Sequence, residues 1–206
     1  MAYSDFTLKK VKSDFGIKTV ENISVFSEME EIDLSESLTK TLQRNVPLAL
    51  AINTEKARSE LIIINILLEL KEKFSDKISL FSGIEFSGID FNVDKDKGLN
   101  GFCDYIISGS SEQLYLDVPV IVIVEAKNEN INSGMGQCIA EMYAAKIFNE
   151  AENQSLSCIY GAITTGDEWR FIKLKENIAY IDLQSYYMSD IKKVVGILKN
   201  MAEQKA

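Results

Sequence analysis

Glu125 and Lys127 stand two residues apart at the end of Val118-Pro-Val-Ile-Val-Ile-Val124, a run of mostly β-branched apolar residues. Such a run reads as a strand covered on both faces, because a half-exposed strand would alternate apolar with polar residues. Pro119 sits at its start, where a missing N–H is tolerated. Alternation along a strand puts Ile121, Ile123, Glu125 and Lys127 on one face and Val120, Val122, Val124 and Ala126 on the other. A carboxylate and an ammonium thus leave a buried strand side by side. Unpaired charge is costly there, so partners, water or a metal ion must meet them.

A second carboxylate lies upstream. Phe102-Cys-Asp-Tyr-Ile-Ile-Ser108 is expected to be a strand with Phe102, Asp104 and Ile106 on one face. Glu-x-Lys spacing alone means little, and the chain supplies its own controls. Glu69-Leu-Lys71 and Asp190-Ile-Lys192 share the spacing, but both fall in helical patterns, where residues two apart point about 200° apart. Only Glu125 and Lys127 join that spacing to a strand, with a strand aspartate before it and a helix after it.

Several elements must position these groups. Residues 4–27 carry short, weakly alternating segments that suit strands or an irregular arm. Leu34, Leu38 and Leu42 mark a narrow amphipathic helix over 34–43, ending before Pro47. Asn53 or Thr54 can cap the next helix, which is apolar over most of its circumference from Leu61 to Leu70 and must lie against a sheet. Glu60 projects at its upstream end, where Arg58, Lys56 or solvent can pair with it.

Alternation predicts a strand over 78–87, with a break at Gly83. A polar connection follows over 90–101, in which Asp94 and Asp96 read as part of a solvated turn. Past Lys127, a loop leads into a helix over 134–149, where Gly136, Ala140 and Ala144 would allow close approach to the sheet and Gln137 lies near the strand end. Further strands are expected over 156–163, 168–174 and 180–183, and an amphipathic helix over 189–203 closes the pattern. Consecutive strands favour antiparallel pairing and strand–helix–strand favours a parallel crossover, so the sheet should be mixed.

Length and composition suit one domain: 206 residues, 46% of them hydrophobic, can build a single well-covered core. It would comprise an N-terminal extension over 1–50, a core over 54–174 and a C-terminal helix over 188–203. The start of the chain is not a basic-then-apolar leader, and the apolar stretch from Leu61 to Leu70 is too short to span a bilayer, so a non-membrane, cytoplasmic protein is expected. Cys103, Cys138 and Cys158 sit far apart in apolar surroundings and read as buried reduced thiols. The absence of histidine removes Ser-His-Asp, Cys-His and His-ligated metal chemistry. A net charge of −9 counts against a broad basic nucleic-acid surface, although carboxylates clustered for a cation contribute to it.

In order and residue type, the segment from about 54 to 174 resembles the PD-(D/E)xK nuclease superfamily. Gly101-Phe-Cys-Asp104-Tyr stands for the aspartate motif and Val124-Glu125-Ala126-Lys127 for the glutamate–lysine motif, with Gly134-Met-Gly-Gln137 opening the helix behind them. Within the superfamily, Ile163-Thr-Thr-Gly-Asp-Glu-Trp-Arg-Phe171 resembles the hydrophobic-Thr-Asn-Gly…Trp…Phe segment in the nuclease domain of type I restriction motor subunits. Cys103 replaces the proline of the name, Thr165 stands for the usual Asn, and the tyrosine after Gln137 is Tyr143, not a residue four positions on.

The resemblance implies an α/β three-layer restriction-endonuclease-like fold, with a mixed central sheet flanked by helices. It also implies an Mg²⁺- or Mn²⁺-dependent endonuclease acting on nucleic acid, with DNA as the expected substrate; a homodimer or a larger restriction-type complex is compatible with it. Phosphodiester hydrolysis needs an in-line hydroxide and a cation opposite the developing charge. Asp104, Glu125 and the Ala126 carbonyl are hard oxygen ligands for such a cation. Lys127 would hold or deprotonate the attacking water and pair with the scissile phosphate. Glu60 would bind a metal through water or orient its surroundings, and Gln137 would position Lys127 or phosphate. Two other readings fit the same residues: a non-cleaving binding or regulatory module with this fold, and a structural protein in which Glu125 and Lys127 simply pair.

Overall fold

The computed structural model describes residues 2–21, 23–86 and 98–204. The turn expected at Asp94 and Asp96 lies outside them. Among the described residues eight strands form one mixed sheet. In chain order these are β1 (Lys18–Val20), β2 (Ser79–Glu85), β3 (Phe102–Ser108), β4 (Val120–Ala126), β5 (Ile159–Thr164), β6 (Glu168–Lys175), β7 (Ile178–Ile181) and β8 (Tyr186–Tyr187). They lie side by side as β1-β7-β6-β5-β4-β3-β2, with β8 pairing β6. β2, β3 and β4 are antiparallel neighbours, while β4 and β5, joined by a helix, are parallel. A helical crossover such as the one between β4 and β5 returns the chain in the same direction.

The helices are α1 (Leu8–Phe15), α2 (Glu36–Ile52), α3 (Glu55–Arg58), α4 (Ile64–Lys73), α5 (Ile131–Ala151) and α6 (Ile191–Ala202), with a π-helical segment, Ser59–Ile63, joining α3 to α4. Two apolar cores lie on the two faces of the sheet. One gathers α1, α5 and the N-terminal residues Tyr3 and Phe6 against Ile123, Ile163, Ile172 and Leu174. The other gathers α2, α4, the π segment and α6 against Val122, Val124, Trp169 and Phe171. β4 is buried along its whole length, as a strand covered on both faces must be.

Four local expectations are corrected. Residues 8–15 form α1 rather than strand or arm, because Thr7 caps the helix by accepting from the Lys10 amide, and Gly16 closes it at φ 66°. α2 does not stop at Pro47 but runs to Ile52. Buried Leu38, Leu42, Asn45 and Ala49 continue its inner stripe, and Pro47 lies on the exposed side, where a carbonyl deprived of its helical partner can meet solvent.

The alternation of β4 fails at its start: Val120 joins the α5 core and Ile121 the opposite one. A register shift at Ile107/Ser108 accounts for this, since one extra residue exchanges faces. Finally, Gly136 does not meet the sheet. A Cβ there would fall 2.5 Å from the Phe6 carbonyl oxygen, so this glycine admits the N-terminal segment against α5.

Candidate active site

The β3–β4 ladder carries the first two groups. Tyr105 opposes Val124 and Ile106 opposes Ile123, so the same antiparallel register, continued by one residue, sets Asp104 opposite Glu125. There the side chain takes over from the ladder. Asp104 Oδ2 accepts from the Ala126 amide at 2.8 Å, and Phe102 beyond it is exposed. Asp104 is half-buried and Glu125 is 1% exposed.

Lys127 follows from β4, its own amide donating to the Thr164 carbonyl of β5 at 2.8 Å. Its ammonium donates to Glu125 Oε1 at 2.5 Å and to Gln137 Oε1 at 3.1 Å. Gly134, one turn before Gln137 on α5, makes room for it: a Cβ there would lie 3.0 Å from Lys127 Cε and 2.9 Å from Ile163 Cγ2. The lysine stem therefore passes beneath a glycine in the first turns of α5. Asp104, Glu125, Ala126, Lys127 and Gln137 form one contiguous group.

Glu60 stands apart. It is exposed on the π segment, with Lys56 3.7 Å away. A cleft of about 510 Å³ separates α3 and the π segment from the sheet edge, lined by Glu55, Glu60, Ser59, Gly83, Asp104 and Ala126 among others. Asp104 and Ala126 line this cleft and also belong to the group around the buried Glu125–Lys127 pair. The π segment is held over the cleft by Tyr105, whose hydroxyl lies 2.5 Å from Ser59 Oγ and donates to the Ser59 carbonyl. Arg58, at its N-terminal edge, donates to the Thr165 carbonyl at 2.8 Å and pairs with Asp167. The Thr-Thr-Gly turn between β5 and β6 is thus a fastening: Thr164 binds the Gly166 amide and Thr165 receives Arg58.

Burial dominates the electrostatics. It lifts Glu125 from the usual carboxylate range to about 8, with the charge of Asp104 adding to the effect and Lys127 opposing it. For Lys127, burial works to release the proton, but the adjoining Glu125 outweighs it and holds the group as an ammonium. Glu125 Oε2 is buried with no hydrogen-bond partner among the described residues. An orphaned carboxylate oxygen opposite a second carboxylate is a donor set that fits a small hard cation. Among the described residues no three His, Cys, Asp or Glu side chains converge as a ready-made cage, so water and backbone oxygen would complete the coordination, as Mg²⁺ tolerates.

A further member was missed in the sequence. Glu141, fully buried on α5, accepts from Gln137 Nε2 at 3.0 Å, and its Oε2 also lacks a partner among the described residues. Burial pushes its carboxyl well above the ordinary range, and the charge of Glu125 adds to this. The signal was legible: Glu141 lies four residues after Gln137, on the same helical face, amid Cys138, Ile139, Ala140, Met142, Ala144 and Ala145.

Comparison with known proteins finds no family model and no curated protein that matches the chain. All three cysteines are free and buried. Among the described residues, no helix is long and apolar enough to cross a membrane.

Proposed function

We propose that the chain is a metal-dependent endonuclease-like phosphodiester hydrolase of the PD-(D/E)xK type, acting on DNA in the cytoplasm with Mg²⁺ or Mn²⁺, and that its α/β fold is the restriction-endonuclease-like one. The observation that carries this reading is the adjacency of Asp104, Glu125 and Lys127 where the start of β3 lies beside the end of its neighbour β4, with a buried carboxylate oxygen left without a partner among the described residues. Asp104, Glu125 and the Ala126 carbonyl would hold the cation, which when bound would offset charge on the phosphoryl oxygens and acidify a water.

The protein's own groups do the rest. Lys127, held as an ammonium, donates to a non-bridging phosphoryl oxygen or to the attacking water and serves as an electrostatic clamp rather than a free base. Gln137 fixes the ammonium's direction. Gly134 keeps the lysine stem in its channel, and the cleft beside Asp104 and Glu60 admits the backbone of the substrate.

A non-cleaving binding or regulatory module is the second reading, favoured by the closed Glu125–Lys127 pair and the net charge of −9. Incubation of the purified protein with plasmid and single-stranded DNA, in Mg²⁺, Mn²⁺ or EDTA, separates the two. The nuclease reading expects divalent-dependent cleavage that falls at least about 1,000-fold in both Asp104→Ala and Lys127→Ala. Metal binding by calorimetry without cleavage supports the module instead. Cleavage unchanged in both variants removes this site from the reaction.

A further inference from the structure

Glu141 is a fully buried carboxylate, one oxygen of which has no partner among the described residues. Its neighbours on α5 are apolar and packed against the sheet, and an apolar side chain of similar length would fill the same space without a polar atom lacking a partner. What Glu141 does is local. Its Oε1 accepts from Gln137 Nε2 at 3.0 Å, and the other end of that same amide, Oε1, accepts from Lys127 Nζ at 3.1 Å.

A primary amide has two ends of almost equal size and opposite polarity. Rotated by half a turn, Gln137 would turn its NH₂ toward the ammonium, and two donors would face each other. Lys127 offers donors only and so takes the Oε1 end of the amide, and the carboxyl oxygen of Glu141 takes the Nε2 end that this leaves over. Among the described residues the other partner of Lys127 is Glu125, which the same reading assigns to the cation. When a cation draws on Glu125, the Gln137 carbonyl is what keeps the ammonium aimed.

We infer that Glu141 is a positioning residue for Lys127, acting through Gln137 by fixing which end of the amide faces the ammonium. The role of Lys127 in turnover rests on the nuclease reading, but the Glu141–Gln137–Lys127 link can be measured without turnover. The variants are Glu141→Met, which has similar length and no strong acceptor, Glu141→Gln, which keeps one, and Gln137→Leu. In metal-free protein the readouts are the thermal midpoint and the Lys127 Cε and Nζ resonances; with plasmid and Mg²⁺ they are kcat and KM.

Glu141→Met is expected to melt no lower than the parent, to move the Lys127 resonances, and to lower kcat about tenfold with KM unchanged. Glu141→Gln is expected to restore both the resonances and kcat, and Glu141→Met placed on Gln137→Leu is expected to add nothing. The inference is overturned if Glu141→Met folds and leaves the Lys127 resonances in place. It is equally overturned if Glu141→Gln is as impaired as Glu141→Met, or if the two substitutions act independently. Should the parent cleave nothing, the nuclease reading fails while the resonances still decide the link.

Discussion

Two buried glutamates in this molecule begin the same Glu-x-Lys spacing and meet opposite fates. Glu69, on α4, is 4% exposed, and both of its oxygens are satisfied. Oε1 accepts from the Ser35 amide at 2.9 Å, Oε2 from the Ser35 hydroxyl at 2.6 Å, and Lys73 adds an ion pair at 3.3 Å. Burial works to raise its pKa, but the Ser35 hydroxyl and amide, together with Lys73, outweigh that and bring it below the ordinary value. Glu125, at 1% exposure, has one oxygen on Lys127 and the other on nothing among the described residues, and it is pushed upward. The first carboxylate ties α4 to the residue that caps α2, and its whole bonding capacity is used in the fold. The second keeps unused capacity near the end of an interior strand. Burial therefore does not distinguish these two glutamates, whereas unspent hydrogen-bonding capacity does.

The largest effect that could break this contrast is the pair of isosteric substitutions Glu125→Gln and Glu69→Gln. Glu125→Gln should reduce plasmid cleavage at least about 1,000-fold without lowering the thermal midpoint of the metal-free protein. Glu69→Gln should leave cleavage unchanged and cost about 1–3 kcal/mol, because hydrogen bonds to an ionised acceptor are lost in a buried setting. If both variants lose stability and neither loses activity, the two glutamates are alike and the contrast fails.

Acidity sharpens it next. A carboxylate whose folded pKa is lowered stabilises the fold above its unfolded value, about 4.3, and that contribution is lost as pH falls through the folded pKa. The deficit of Glu69→Gln against the parent should therefore be full at pH 7 and close below about pH 4. For Glu125 the sign reverses. Its folded pKa is raised to about 8, so ionising it costs stability as pH rises from about 4.3 to 8, and Glu125→Gln should gain on the parent across that window in EDTA. Thermal melts at half-unit pH steps would measure both curves; parallel curves would refute the assignment.

The smallest effect concerns the partner. Ser35→Ala removes the hydroxyl that serves both Glu69 and the Leu38 amide, and it should cost about 1 kcal/mol in urea unfolding with no change in cleavage.

Much of this arrangement was legible in the chain. The continuous apolar run ending in Glu125 marked β4, the alternation of Trp169 and Phe171 against Ile172 and Leu174 marked β6, and the helix between β4 and β5 foretold their parallel pairing. The helical setting of Glu69-x-Lys71 correctly set it apart from its strand counterpart. What remained hidden depends on distant partners. The bulge that exchanges Val120 and Ile121 arises from pairing with β3. Pro47 sits inside α2 because the side it occupies faces outward. The i, i+4 spacing of Gln137 and Glu141 was readable, but their meeting with Lys127 arises only when α5 packs on the sheet.

The pairing of β1 with β7 has a consequence for how the chain is made. Lys18 stands opposite Ile178, so a polypeptide leaving the ribosome in order carries β1 long before that neighbour exists. The hairpin that bears Asp104 and Glu125, and α5 directly behind it, involves only residues close together along the chain. The candidate site can thus assemble early, and the seam between the first and seventh strands is left for a late stage of the sheet's closure.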